Sequence, residues 1–473
     1  MNNTSFHSKI NKSVLILSDF FTLCLSIFMA YYISTPDDFS LDMDQFIDSI
    51  IRLNLFLFTG IGVIFWIWVN YRHYAYRKPF WDELRDIYLT LFIASLINLA
   101  LLVFIKNNFD ILTWLYVWLN AVIFFPVSRI LIKKMLRMCG TWDLNCVLIG
   151  DEKEALYGYK AISSEADLGY KITAILTQTT EGNFWKENGV NLITEQQLIG
   201  NLENYHKIFI ALKHNQNELV ESWVKKLSKL KFRNISVIPP LRGIGLYGTD
   251  VSHFFGYETI ILRIQNNLAK RSSRFIKRIV DILLSSILLI ILSPLFVYLI
   301  LTIRKDGGEA IYIQKRVGRN GKIFPCYKFR TMRVDSYKIL RNLLRENKKI
   351  RDEWNQNFKL KDDPRITPIG KFLRKTSLDE LPQLWNVFCG DMSLVGPRPI
   401  IRQELKFYAD DLAYYYMVRP GLSGLWQVSG RSDTDYETRV YLDSWYVKNW
   451  SFWNDIIILA KTVRVVLMGK GAY

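Results

Sequence analysis

Two adjacent carboxylates, Asp379 and Glu380, sit in the stretch TSLDELPQ from Thr376 to Gln383, directly after the cations of RITPIGKFLRK. A carboxylate placed among fixed positive charges can attack phosphorus or hold Mg²⁺. The same spacing has a plainer reading. Ser377 and Glu380 fit a helix capping box, and acidic side chains are common in the first turn of a helix. Spacing alone leans toward the cap.

The surroundings are unusual for a simple helix start. QKRVGRNGKIFPCYKFRTMR, GDMSLVGPRP and RPGLSGLWQVSGR set Gly and Pro beside Arg and Lys, which predicts loops carrying fixed cations. Such loops suit phosphate oxygens, which a guanidinium grips with two parallel N–H bonds.

The elements that must position this chemistry begin in lipid. Apolar runs at about Val14 to Ile33, Leu53 to Val69, Ile87 to Ile105 and Ile111 to Ile132 each approach the ~20 residues that cross a bilayer. Polar faces at helical spacing are nearly absent, which argues against a soluble bundle. Lys9 and Lys12 precede the first run. Asp37, Asp38, Asp42, Asp44 and Asp48 follow it, and Arg72, Arg77, Lys78 and Arg85 come next. Lys106 is nearly alone in the third connection, and Arg129, Lys133, Lys134 and Arg137 close the series. By the positive-inside rule both ends of the bundle are cytoplasmic. The opening run lacks a small-residue cleavage site and reads as a retained anchor.

From Asn145 the pattern becomes soluble α/β. Strand-like runs at Val147 to Ile149, Ile172 to Leu176, Lys207 to Leu212 and Ile235 to Ile238 alternate with helical stretches such as Glu218 to Lys231, predicting a small doubly wound sheet. Gly150 invites a dinucleotide reading, yet the chain continues DEKEALYG, without the glycine fingerprint and with Asp151 and Glu152 set to repel phosphate. A regulatory or scaffolding role is the expectation for this part.

A fifth apolar run, about Ile279 to Ile303, is broken by Ser293 and Pro294 and has basic residues on both flanks, Arg271, Arg274, Lys277 and Arg278 before it and Arg304 and Lys305 after. Proline bends a helix, and cations at both ends prefer one side of the membrane. A re-entrant helix at about 275–304 satisfies both constraints, with an ordinary kinked span as the alternative. Tyr414 to Tyr416 and Trp445, Trp450 and Trp453 precede a stretch from Ile456 to Met468 that reads equally as an interfacial helix or a core helix.

Composition agrees with this layout. The 473 residues carry 61 Lys and Arg against 44 Asp and Glu, a formal charge of +17, so an anionic partner is expected. The cations flank apolar runs instead of forming a stripe on a soluble module, which argues for lipid and phosphorylated substrates and for no nucleic acid. Five scattered cysteines with no His at ligand spacing indicate neither a disulfide framework nor zinc.

The ordered motifs from Arg271 to Tyr473, namely KFRTM, DPRITPIGKFLRKTSLDELPQL, GDMSLVGPRP and RPGLSGLWQVSGR, resemble those of the polyprenyl-phosphate hexose-1-phosphate transferase family, the bacterial sugar transferases. Within it, RIQNNLAKRSSRF and DSWYVKNW are similar to undecaprenyl-phosphate galactose phosphotransferases. The resemblance implies a four-helix transmembrane bundle (1–140), a degenerate Rossmann-like α/β domain (141–262) and an α-rich phosphoglycosyl transferase domain with the re-entrant helix (263–473). It implies transfer of galactose-1-phosphate from UDP-galactose to undecaprenyl phosphate, with UDP-glucose as the alternative donor. A non-catalytic membrane sensor or scaffold is the competing reading from another class.

The resemblance further implies that Asp379 attacks phosphorus, with Glu380 beside it and Mg²⁺ held by one or both. Lys328, Arg330, Arg365, Lys375 and Arg398 would neutralise the diphosphate and the lipid phosphate, and Gln427, Gly430 and Arg431 would form a substrate-facing loop. The family-level expectation also includes a homodimer in the bacterial inner membrane, with the α/β and catalytic domains on the cytoplasmic side.

Overall fold

The computed structural model describes residues 3–34, 43–105, 111–177, 182–213, 215–241, 243–253, 260–264, 267–346, 351, 360, 363–429 and 435–468. The chain divides into two compact units, 1–241 and 242–473.

The first unit opens with α1 (Asn3–Ser34), α2 (Met43–Val69), α3 (Phe80–Phe104) and α4 (Ile111–Met138). All four are long and apolar enough to cross a membrane, and each helix runs past its apolar stretch into the polar flank. Their outward faces carry large bare hydrophobics, with Phe58 72% and Phe104 86% exposed. A water-soluble bundle would present polar residues there. Inside the bundle the helices are tied by charge: buried Arg129 donates to Asp19 and to Glu83, Lys133 donates to Glu83, and the Tyr74 hydroxyl donates to Asp19. Removing one member of such a buried set would strand its partners at about 3–5 kcal/mol. Of the flanking charges on which the sidedness expectation rests, Asp37, Asp38, Asp42 and Lys106 lie outside the described residues.

After α4 a five-stranded parallel sheet forms from β1 (Leu144–Gly150), β2 (Tyr170–Leu176), β3 (Asn191–Leu192), β4 (Lys207–Ala211) and β5 (Ile235–Val237), in the order β3-β2-β1-β4-β5. Between them run α5 (Glu152–Ser164), α6 (Gly182–Glu187), α7 (Glu195–Gly200) and α8 (Asn217–Lys229). Buried apolar clusters lie on both faces of β1, one around Leu148 and Phe209 and one around Ile149 and Trp223, which is why β1 reads as a continuous apolar run. The glycine that invites a nucleotide reading has a packing cause. A Cβ on Gly150 would lie 2.3 Å from the Ala211 carbonyl oxygen, and the adjacent Asp151 faces Lys213 at 3.3 Å.

The second unit begins with an antiparallel pair, β6 (Asp250–His253) and β7 (Ile260–Arg263). Then α9 (Arg271–Ile291) and α10 (Ser293–Ile303) meet at a 62° bend. Pro294 sits in the first turn of α10, where its missing N–H breaks no helical bond, and the Ser293 hydroxyl donates to the Ile290 carbonyl across the break. Ile290, at the bend, is 73% exposed. Buried Asp281 instead faces the domain and accepts from the Leu394 backbone N–H at 3.0 Å.

The cation-rich segment after α10, expected as loops, is an antiparallel hairpin of β8 (Ile311–Val317) and β9 (Ile323–Phe329). Its glycines fall at the turn with Arg319 and Lys322, while Lys315, Arg316 and Lys328 lie on the strands. There follow α11 (Ser336–Glu346), α12 (Pro368–Thr376), α13 (Gln383–Cys389), the strand β10 (Ser393–Val395), α14 (Leu412–Met417), β11 (Gly421–Ser423), α15 (Leu425–Val428), α16 (Tyr436–Lys448) and α17 (Phe452–Met468).

One core of Cys326, Leu384, Val387, Leu394, Tyr446 and Ile458 joins β9, α13, β10, α16 and α17, while Leu373 of α12 clusters with Phe329 and Tyr415 of α14 with Val317. The last helix carries a buried face: Asp455 accepts from Lys277, the Tyr446 hydroxyl and the Trp450 indole, while Val463 is exposed. The core-helix reading therefore accounts for one face and leaves the other exposed, with Val463 beside Arg464.

Candidate active site

Strand alternation sets the first wall of the site. In the β8–β9 register Gln314 pairs with Cys326 and Arg316 with Phe324, so Gln314, Arg316, Cys326 and Lys328 share one face. The strand is fixed from behind by Asn386, whose Oδ1 accepts from the Tyr327 N–H at 3.0 Å while its Nδ2 donates to the Pro325 carbonyl at 2.7 Å. Lys328 Nζ then reaches Glu380 Oε1 at 2.7 Å.

The carboxylate pair is not in the first turn of a capped helix. α12 ends at Thr376, Ser377 takes a left-handed conformation (φ 58°) and makes no side-chain capping bond, and Leu378–Glu380 form a single 3-10 turn before Pro382 and α13. The tight turn presents the two acids side by side, where capping would have tied one of them to the backbone. Burial and the neighbouring Glu380 charge push the Asp379 carboxyl up to about 6, against the opposing pull of Lys328 and Arg374.

The opposite wall comes from the paired strands β10 and β11, the first followed by the turn that carries Arg398 and the second by α15, which carries Gln427. The two backbones nearly touch: a Cβ on Gly421 would lie 2.1 Å from the Gly396 nitrogen. Gly421→Ala must therefore pry the strands apart, and we expect it to cost about 3 kcal/mol, read as a lowered thermal midpoint together with lost activity.

Arg398 lies over the Trp426 ring at 5.1 Å, with Arg439 over the same ring at 5.0 Å. Buried Asp443 accepts from the Arg398 backbone N–H and from the Tyr408 hydroxyl at 2.7 Å. Burial, then the neighbouring Arg439, lowers the Arg398 guanidinium below its ordinary range.

One cleft gathers Arg316, Lys328, Glu380, Gln383, Arg398 and Gln427. Other expected residues lie elsewhere. Arg330 clamps Asp306 and donates to the carbonyls of Ile303, Glu309 and Met332, closing the exit of the α9–α10 hairpin. Arg365 forks onto Asp363, with Nε to Oδ1 at 2.8 Å and Nη2 to Oδ2 at 2.5 Å. Lys375 is exposed on the last turn of α12. Gly430 and Arg431 lie outside the described residues.

Arg316, Arg374, Gln383 and Asp443 are the additions the sequence reading missed. The available signals were Gln383 inside the TSLDELPQ motif and Arg316 on the alternating face of a strand. The two adjacent carboxylates offer hard oxygen donors, and no cluster of three or more His, Cys, Asp or Glu suited to a metal occurs among the described residues. That donor set fits Mg²⁺, which keeps water and substrate phosphate in its shell, better than a fully caged ion.

Asp379 adjoins the cleft through its neighbour and is not among the residues that line it. A half-buried carboxylate pair whose Glu380 lines a cation-rich cleft, in a chain with four apolar helices, suits an enzyme acting on phosphorylated substrates at a membrane. Residues 272–469 match the bacterial sugar transferase family and residues 70–239 a CoA-binding domain. The chain belongs to the bacterial sugar transferase family and is a phosphoglycosyl transferase. It is 45% identical to the undecaprenyl-phosphate galactose phosphotransferase of Salmonella typhimurium, covering 100% of this chain and 99% of that protein. It is 43% identical to the UDP-galactose-lipid carrier transferase of Erwinia amylovora, covering 97% of each. Similarity to the UDP-glucose:undecaprenyl-phosphate glucose-1-phosphate transferase of Escherichia coli is lower, at 29% over 80% of this chain and 81% of that one.

Proposed function

We propose that the enzyme transfers galactose-1-phosphate from UDP-galactose to undecaprenyl phosphate, beginning synthesis of a surface polysaccharide. The observation that carries this reading is the Asp379–Glu380 turn, whose Glu380 pairs with Lys328 and lines one cleft with it and Arg398. The donor sugar follows the full-length relatives named for galactose.

An Asp379 oxygen attacks the phosphorus that bears the sugar. The bond from that phosphorus to the bridging oxygen breaks, and UMP leaves. An oxygen of undecaprenyl phosphate then attacks the same phosphorus and releases the Asp379 carboxylate. Lys328 and Arg398 stabilise the negative charge that gathers on the phosphoryl oxygens, the main demand of such transfers. Glu380 holds Lys328 in place. Mg²⁺ held by Asp379 and Glu380 would supply further neutralisation of the diphosphate. Purified protein given UDP-galactose, UDP-glucose and N-acetylated UDP-hexoses with undecaprenyl phosphate is expected to release UMP fastest from UDP-galactose. Faster release from UDP-glucose would reassign the donor.

The α9–α10 hairpin dips into one leaflet and returns, so that the catalytic domain lies on the cytoplasmic side, where nucleotide sugars are made. The 62° bend, its exposed apolar tip and the cations on both flanks support this. Cysteines introduced at Arg271 and Lys305 are expected to react from the same side of sealed vesicles. Opposite accessibility would turn the hairpin into a kinked span. The domain division at 140 and 262 and a homodimer complete the proposal.

A further inference from the structure

The first unit contains a cavity of about 790 Å³ that the transfer reaction does not use. One side is built by a single end of the helical bundle: Lys9 and Lys12 from the start of α1, residues 73–78 after α2, Glu83 at the start of α3, Lys133 near the end of α4 and Trp142 just beyond it. The other side is the amino ends of the strands, with Leu144, Tyr170, Lys207 and Ile235. Doubly wound sheets hold nucleotides at the carboxyl ends of their strands. This cavity is at the opposite end, away from Gly150 and the Asp151–Lys213 pair.

Its charge is one-sided. The lining carboxylates are Glu83 and Asp167, and Glu83 is already engaged by Arg129 and Lys133. Among the described residues no carboxylate lies within ion-pair distance of Lys9, Lys12, Arg77, Lys207, Lys231 or Arg233. Three of these cations rest on aromatic faces, Lys12 over Trp68 at 4.5 Å, Arg77 over Trp142 at 4.2 Å and Lys207 over Tyr170 at 4.8 Å, and Arg77 Nη1 also donates to the Leu168 and Gly169 carbonyls at 3.0 and 2.9 Å. Burial lowers the Arg77 guanidinium to about 10 and lowers Lys207 as well, so these charges have lost part of their water. His73, another lining residue, is buried with Nδ1 unbonded while Nε2 faces Asp86 at 3.2 Å.

Six like charges around one partly enclosed space repel one another unless an anion joins them. Lysines and a forked arginine beside aromatic rings suit phosphate oxygens. The helices that open and close the apolar spans at Lys9, Val69, Phe80 and Met138 put the cavity at headgroup depth. We propose that this cavity binds a phosphate ester, the chemistry shared by an anionic phospholipid headgroup and a free phosphate compound, and that the bound anion joins the membrane bundle to the α/β sheet.

The full-length protein in nanodiscs tests this through thermal midpoint and, by native mass spectrometry, retained lipid. One arm compares phosphatidylcholine discs with and without phosphatidylglycerol, and the other titrates inorganic phosphate into phosphatidylcholine discs. Stabilisation in the first arm alone assigns the site to lipid, and stabilisation in the second assigns it to a soluble phosphate. Lys231 and Arg233 are exposed at the rim, so their charge can be reversed without disturbing the core. Lys231→Glu with Arg233→Glu is expected to weaken binding on the order of thirtyfold, whereas Lys231→Arg with Arg233→Lys retains it. No response to either probe, or wild-type binding by the charge-reversed protein, would overturn the proposal.

Discussion

Asp379→Asn is expected to abolish UMP release from UDP-galactose before any lipid is added, lowering turnover by about 10⁴-fold or more. The amide matches the carboxylate in size but has no anionic oxygen to offer phosphorus. The wild-type enzyme without lipid should exchange labelled UMP into UDP-galactose, because the first step is reversible and complete in itself. Direct attack by the lipid on UDP-galactose cannot support that exchange, so its absence would move Asp379 from nucleophile to metal ligand.

The pH dependence carries an independent signature. Asp379 is raised to about 6, first by burial and then by Glu380. The attacking form is the ionised one, so the rate should climb with pH through about 6 and level off above it. Glu380→Gln removes a neighbouring negative charge and should move that limb to lower pH. Lys328→Ala removes a stabilising cation and should move it higher. Opposite displacements from residues in contact with each other would be hard to obtain from a general loss of structure.

What the sequence made legible follows from where the physics is local. Runs of ~20 apolar residues can only be satisfied by helices in lipid, so α1 to α4 stand out without tertiary information. The break at Ser293 and Pro294 is equally local, because proline cannot donate wherever it sits.

The β8–β9 hairpin was hidden for the converse reason. Gly318, Gly321 and Pro325 read as loop punctuation, while the cross-strand pairing that makes Arg316 and Lys328 share a face has no local signature. The cations divided in the same way. Lys328 and Arg398 face the cleft, but Arg330 and Arg365 are held by Asp306 and Asp363. Asp363 lies two residues from Arg365 in the chain, yet only the folded backbone decides whether an arginine grips its neighbour or meets a substrate. The Ser377 to Glu380 spacing misled because a cap needs an extended residue at its first position, and Ser377 is left-handed.

Arg398→Ala is expected to lower kcat/KM by about a thousandfold while leaving the thermal midpoint unchanged or slightly higher. The reason lies in what surrounds the guanidinium. No carboxylate pairs with it among the described residues; Arg439 shares the Trp426 face and Arg316 lines the same cleft. In the free enzyme this charge is desolvated and repelled by its neighbours, which its lowered pKa records. Such a group is a cost to folding that only an anionic substrate relieves, so deleting it should spare stability and harm turnover. The fold supports it deliberately: Asp443, buried and pushed up to about 7 mainly by that burial, holds the Arg398 N–H and is itself held by Tyr408. Arg398→Lys keeps the charge but loses the fork and should recover only part of the rate. A variant that melts well below wild type yet turns over normally would show that Arg398 serves the fold, and the phosphate role would then pass to Lys328 and Arg316.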